Sequence, residues 1–259
     1  MRYVPIFGLI PAVSLASAWV KEENALFIST TFNRYRARDY YDKGGDRRPI
    51  GCTFEKEELR VYGEYGLSRR TTLTFKLPYD WLSCGGDKNS GFVDFEVGFI
   101  RQMRKGKNYS FSLYGNAIVP TGYSITDSPR LGYGRPALEG GLLYGVSGRL
   151  GFLDSGLGYR HYFGYPSSQI RTYATAGINI FKNIQFLTTL DLQMGLGDGK
   201  RKQVGQNVLL EPDYKLAQTY VRLRLMFENL SFVATYQYVL WGKNTGVGRG
   251  VDFSVWWSF

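Results

Sequence analysis

Residues 245–259 read TGVGRGVDFSVWWSF. Val247, Val251, Phe253, Val255, Trp257 and Phe259 fall on one face at period two, and Gly248, Gly250, Asp252, Ser254 and Ser258 fall on the other. Strict alternation of this kind marks a strand with one apolar and one polar face. Two residues break it: Arg249 stands on the apolar face near the start, and Trp256 on the polar face near the end. The strand runs to Phe259 without a polar tail. So aromatic an end frays in water unless a neighbour holds it, which makes this a strand that pairs on both sides.

The rest of the chain repeats the pattern. Period-two segments separated by turn signals cover 25–34, 53–67, 71–82, 91–103, 108–119, 135–146, 149–163, 167–181, 184–196, 214–227, 230–241 and 245–259. Short turns at 68–70, 104–107, 147–148, 182–183 and 228–229 alternate with links that are mostly longer. The polar faces carry Glu, Arg, Lys and Asp, so in water nothing would cover the apolar faces, whereas in lipid the polar set becomes a lumen. Even strand number, alternating turn length and a terminal Phe resemble the outer-membrane β-barrels of Gram-negative bacteria. The expected fold is all-β, an antiparallel up-and-down transmembrane β-barrel of about 12 strands over residues 19–259. The resemblance implies an outer-membrane location, and Phe259 as the residue by which the barrel-assembly machinery takes the chain. Aromatics near both strand ends, among them Tyr79, Trp81, Phe163, Tyr165 and Trp241 at the loop side, form the two girdles expected at the interfaces.

Composition agrees. The chain has 259 residues with 32 Gly, 20 Tyr and 17 Phe, within the range of a single barrel domain. It contains no apolar run long enough for a membrane-spanning helix. Residues 1–18, MRYVPIFGLIPAVSLASA, combine Arg2, an apolar stretch and Ala16-Ser17-Ala18, the pattern of a secretory signal cut after Ala18. The remaining lead before the first strand reads as too short for a plug domain. Export places the two cysteines, Cys52 and Cys84, in an oxidising compartment, where a disulfide between them stands against two free loop thiols.

The candidate site is the polar face, which by parity includes Glu58, Arg60, Glu64, Lys76, Asp80, Asp94, Glu96, Glu139, Arg160, Arg171, Asp191, Arg222, Arg224 and Asp252. Two readings stand: a narrow hydrated channel for small solutes whose charged rings set selectivity, or a salt-bridged, nearly closed interior that supports the wall. A lipid hydrolase centred on the lone histidine, His161, is the alternative, and a structural or adhesive barrel is a third. Tyr159, His161 and Phe163 share the lipid-facing parity, which favours the girdle over catalysis. The loop 195–199, GLGDG, has no helix after it on which to seat a phosphate. No nucleophile elbow, zinc-helix motif or Cys/His cluster occurs, so neither cofactor nor metal is expected, and the activity expected is not enzymatic.

The net charge of +10 concentrates in Arg34, Arg36, Arg38, Lys43, Arg47 and Arg48 and in 200–202. Nucleic acid does not meet an exported barrel. Phosphates of outer-membrane lipids and lipopolysaccharide are the partner such loops suit, with plain solvated loops the other reading.

EYGLSRRTTLTFKLPY (64–79), SGFVDFEVGFIR (90–101) and Pro120-Thr121-Gly122 resemble a more specific family, the outer-membrane transporters named for the MetA pathway of phenol degradation. That family carries Gly-x-Gly-Asp where this chain has Gly91-Phe92-Val93-Asp94. The resemblance covers about half the chain and implies a barrel that passes small, even hydrophobic, molecules.

Overall fold

The computed structural model describes residues 17–124, 126–200, 202–204, 208–210 and 213–259. The strands are β1 (Leu26–Tyr41), β2 (Arg47–Ser68), β3 (Thr71–Cys84), β4 (Asp87–Phe92), β5 (Phe95–Lys105), β6 (Tyr109–Val119), β7 (Ala137–Ser147), β8 (Gly151–Tyr162), β9 (Gln169–Phe181), β10 (Ile184–Gly195), β11 (Lys202–Val204), β12 (Val208–Leu210), β13 (Lys215–Met226), β14 (Leu230–Lys243) and β15 (Thr245–Ser258). Twelve of them close an antiparallel barrel in the order β1-β2-β3-β5-β6-β7-β8-β9-β10-β13-β14-β15. β15 completes the ring by pairing with β1 from Phe27↔Ser258 to Tyr41↔Thr245. The Phe259 N–H also donates to the Leu26 carbonyl, and Leu26 donates back. The last strand is therefore held on both sides, and the twelve-strand ring is closed.

Burial runs opposite to that of a water-soluble protein. The residues most removed from the surface include Thr72, Ser110, Ser112, Thr189 and Arg224, while Phe32, Phe99, Leu157, Val251, Phe253 and Trp257 are exposed. An exterior of this kind matches hydrocarbon, and the closed ring satisfies the backbone there without water. Five turns at one end (the turn end) join β2–β3, β5–β6, β7–β8, β9–β10 and β13–β14. The opposite end is called the loop end below.

Three local differences from the sequence reading have physical causes. First, the basic segment after residue 34 is not a loop. β1 and β2 stay zipped to Tyr41↔Arg47, with Arg36 on Glu55 at 2.7 Å and Arg47 on Asp39 across the ladder. Opposite charges facing across strands supply the pairing that the missing apolar alternation does not announce. Second, the fourth predicted strand is split into β4 and β5, both on β3. Pro78 lies opposite the gap, has no N–H to give to the ladder, and accepts only from Val93 N at 3.0 Å. Third, the 195–215 connection carries the small β11–β12 hairpin. Arg201, part of its basic run, lies outside the described residues, as does 1–16 of the expected signal.

Cys52 and Cys84 form a disulfide with their Cα atoms 5.5 Å apart. It ties β2 to the end of β3, so it clips neighbouring strands rather than two separate loops. A membrane-impermeant thiol reagent is expected to label intact protein at these two positions only after reduction. Labelling without reductant would mean the bond does not form.

Candidate functional site: the barrel lumen

The sequence-named residues all lie on the inward face. Glu58, Glu64, Asp80, Glu139, Arg160, Asp191, Arg222 and Arg224 are buried, and Arg60, Lys76, Asp94, Glu96, Arg171 and Asp252 are half-buried. They divide into two sectors. On β3 and β5–β9, Glu139 receives the Arg160 Nε, the Arg171 guanidinium at 3.3 Å and the Tyr114 hydroxyl at 2.8 Å. Glu96 receives Lys76 Nζ at 2.6 Å and lies 3.7 Å from Arg160. Charges packed this closely out of bulk water hold only when paired on several sides, and here they are paired from strand to strand.

The other half, bounded by β1, β2, β13, β14 and β15, keeps space. A cavity of about 310 Å³ is lined by Lys56, Glu58, Arg60, Gln218, Tyr220, Arg222, Gln237 and Asp252, and extends from Leu216 and Thr245 near the loop end to Val233 and Trp256 near the turn end. Glu58 pairs with Lys56 at 2.6 Å and Arg60 at 2.9 Å, and Asn33 holds Asp252. Arg222 donates to Thr189 Oγ1 at 2.7 Å and lies 4.8 Å over the Tyr220 ring, and it meets no carboxylate among the described residues. Asp191 is held by Gln193 and by Gln218 at 2.8 Å. The Oδ1 atoms of Asp80 and Asp191 have no partner among the described residues, as suits walls wetted by water.

Both ends are narrowed by parts that period-two reading passes over. At the loop end, 120–124 and 126–136 fold inward. Tyr123 donates to Asp94 and receives Gly134 N at 2.9 Å. Tyr133 packs on Tyr162, Tyr165 and Tyr214 with centroids 5.6, 5.9 and 6.4 Å away. Tyr165 therefore turns inward instead of joining the outer girdle. The signal was in the sequence: a loop with two tyrosines among glycines carries apolar surface that a solvated loop does not need.

At the turn end the lead before β1, expected to be too short for a plug domain, enters the lumen as a strap. Ala18 is fully buried. Its carbonyl accepts from Ser110 and Ser112, each at 2.6 Å, and its N–H donates to Asp154 at 3.0 Å. Trp19 packs on Ile100, Tyr114, Leu143 and Tyr173. Lys21 donates from its backbone to Thr72 Oγ1 at 2.8 Å and pairs through Nζ with Glu64 at 3.1 Å. Two glycines make room: a Cβ on Gly145 would stand 2.2 Å from the Trp19 ring, and one on Gly66 only 1.7 Å from the Glu22 carbonyl. Beside this strap, Trp256 points inward against Phe27, Tyr62 and Val233, with the Arg224 guanidinium 4.7 Å over its ring. That explains the aromatic on the polar face of the last strand: it floors the cavity.

His161 sits outside, between Tyr159 and Phe163. Its Nδ1 is 3.0 Å from Ser168 Oγ, and Asp198 accepts the Ser168 N–H at 2.7 Å. Hydrogen bonds from Ser168, the hydroxyl first, hold the Asp198 carboxyl below the usual carboxylate range. The three residue types are those of a hydrolytic triad, but the order is wrong for one. The acid accepts from the serine's hydroxyl and backbone N–H instead of orienting the histidine, and Ser168 is 1% exposed, so a substrate carbonyl has no approach to its oxygen.

No family model matches the sequence, and no curated protein matches it. Solved structures do. The COG4313 outer membrane channel from Pseudomonas putida F1 superposes with a TM-score of 0.78 at 15% identity, over 97% of this chain and 100% of that one. The NanC porin gives 0.55 at 10% identity, over 90% of this chain and 98% of the porin. The KdgM porin in complex with disordered oligogalacturonate gives 0.52 at 10% identity, over 89% and 99%. At such identities the likeness is one of fold: this chain has the closed barrel fold of outer-membrane channels.

Proposed function

We propose that this barrel is a passive outer-membrane channel for small hydrophilic solutes in a Gram-negative cell. The observation that carries the reading is the polar cavity of about 310 Å³ running along the β1, β2 and β13–β15 sector. The Glu139 sector is salt-bridged from strand to strand, whereas this sector keeps open space between its walls. Lys56, Arg60 and Arg222 outnumber Glu58 and Asp252 along the cavity, which favours anions modestly. The apolar exterior supports the membrane location, with the short turns facing the periplasm, residues 1–18 removed on export, and Phe259 presented to the barrel-assembly machinery. The cavity's polar lining favours water-soluble cargo over the hydrophobic molecules that the phenol-degradation resemblance implies.

Single-channel recording of the purified chain in planar bilayers is expected to give ohmic steps with a reversal potential shifted toward anions. Silence in the bilayer, together with lipid hydrolysis lost in His161→Ala, would overturn the channel in favour of the surface hydrolase.

A further inference from the structure

The outward face of the loop end carries a charge arrangement that the wall does not need. Arg34, Arg36 and Arg38 are successive outward residues of β1, all exposed. Arg36 lies directly opposite Arg249 of β15 in the ladder, and Tyr238 of β14 lies opposite Arg249 on its other side. Like charges directly opposite one another on a sheet repel. The neighbouring strand relieves only part of this: Glu57 takes Arg34 at 3.4 Å and Glu55 takes Arg36 at 2.7 Å. Arg38 stands at the bulge between Ala37 and Asp39, and neither it nor Arg249 meets a carboxylate among the described residues. Together Arg36, Arg38, Arg249, Tyr238 and Gly248 border an outward depression of about 600 Å³.

Its height on the barrel says what can reach it. Below Arg249 the outward residues of β15 are Val251, Phe253, Val255, Trp257 and Phe259. Arg249 is ten residues from Phe259, which at about 3.3 Å per residue and a tilt of ~40° is about 25 Å along the membrane normal, the height of a barrel's apolar band. The neighbouring strands agree: Phe32 and Tyr236 are exposed just below the arginines. The cluster thus starts where hydrocarbon ends, at headgroup level, and Tyr238 supplies the amphipathic ring typical of that level.

We propose that Arg36, Arg38 and Arg249 form a binding site for the phosphate of an outer-leaflet glycolipid, whose acyl chains lie down the Phe32–Val251–Phe253–Tyr236 wall. A phosphate monoester offers the two negative charges and the several acceptor oxygens that two unpaired guanidiniums and their paired neighbour can share through charge-assisted bonds. The site rests on the membrane-embedded reading of the barrel. It is independent of whether the lumen conducts.

The test uses the full processed chain in detergent and three probes: diphosphoryl lipid A, the same lipid freed of phosphate, and inorganic phosphate. Wild type is expected to retain diphosphoryl lipid A on the order of tenfold more tightly than the Arg38→Gln/Arg249→Gln double variant, with little retention of the dephosphorylated lipid by either. Arg249→Lys should retain an intermediate amount, since it keeps the charge but loses the planar fork. Heat-modifiable migration on gels checks that each variant is a folded barrel. Equal retention of diphosphoryl lipid A by the folded double variant overturns the site. Displacement of the lipid by inorganic phosphate at equal concentration overturns the lipid as its ligand. Failure of any form to insert into bilayers at all would fall on the membrane reading instead.

Discussion

Trp19→Ala is expected to raise single-channel conductance, roughly twofold or more, because the strap it anchors occupies the turn end of the lumen. The ring packs on Ile100, Tyr114, Leu143 and Tyr173, and Gly145 is shaped to it, since any Cβ there would collide with the indole. Trp-to-Ala changes at packed sites cost about 3–5 kcal/mol, and the lower figure suits a half-buried ring. About 3 kcal/mol lowers the docking equilibrium constant of the strap by a factor of roughly a hundred. In the chain cut after Ala18, as proposed above, what then holds it is Lys21 on Glu64 and Thr72, since the contacts of Ala18 to Asp154, Ser110 and Ser112 go with the removed segment. Lys21→Ala added to Trp19→Ala should therefore increase the effect. Gly145→Leu tests the same seat from the wall side and should mimic Trp19→Ala without touching the strap. Conductance unchanged in all three would show that solute does not pass this end.

How much of this was open to sequence reading follows from which patterns period two can carry. Alternation names a face, so the inward residues from Glu58 to Asp252 and the closing role of β15 could be read directly. Parity is also why Arg249 could be seen as an outward exception near a strand end, although its facing Arg36 could not, because register is set by pairing and not by pattern. Where strands persist without alternation, the pattern is silent: the upper parts of β1 and β2 are held by Arg–Glu and Arg–Asp pairs, and read as loop. The strap and the inward loop of 120–124 and 126–136 were invisible for another reason. Both are irregular backbone whose position is fixed by distant partners, Glu64 and Thr72 for one and Asp94 for the other, and irregular segments carry no period to read. Trp256 lay between these cases, with its direction legible and its purpose not, because Phe27, Tyr62, Val233 and Arg224 come from other strands.

Replacing Glu139 separates structure from conduction within the salt-bridged sector. Its carboxylate is the one acceptor common to Arg160, Arg171 and Tyr114, on the strand next to Arg160 in register, Glu139↔Arg160. Glu139→Ala leaves both guanidiniums in the wall, Arg160 with Glu96 at 3.7 Å and Arg171 with no other carboxylate at ion-pair distance among the described residues, and removing one partner of a buried pair costs about 3–5 kcal/mol. The barrel should therefore unfold at lower temperature in a heat-modifiability assay. Surviving channels should shift their reversal potential further toward anions, because one negative charge has left the lumen. Adding Arg160→Met restores the charge balance and replaces a stranded cation with a side chain of similar reach. Hydrophobic replacement of a buried pair is near neutral, so the double variant should recover most of the lost stability and the original selectivity together. Independent losses that simply add in the double variant would mean the two residues do not act as a pair. Recovery of stability without recovery of selectivity would place the conducting path wholly along the Arg60–Arg222 cavity, with the Glu139 sector serving only as wall.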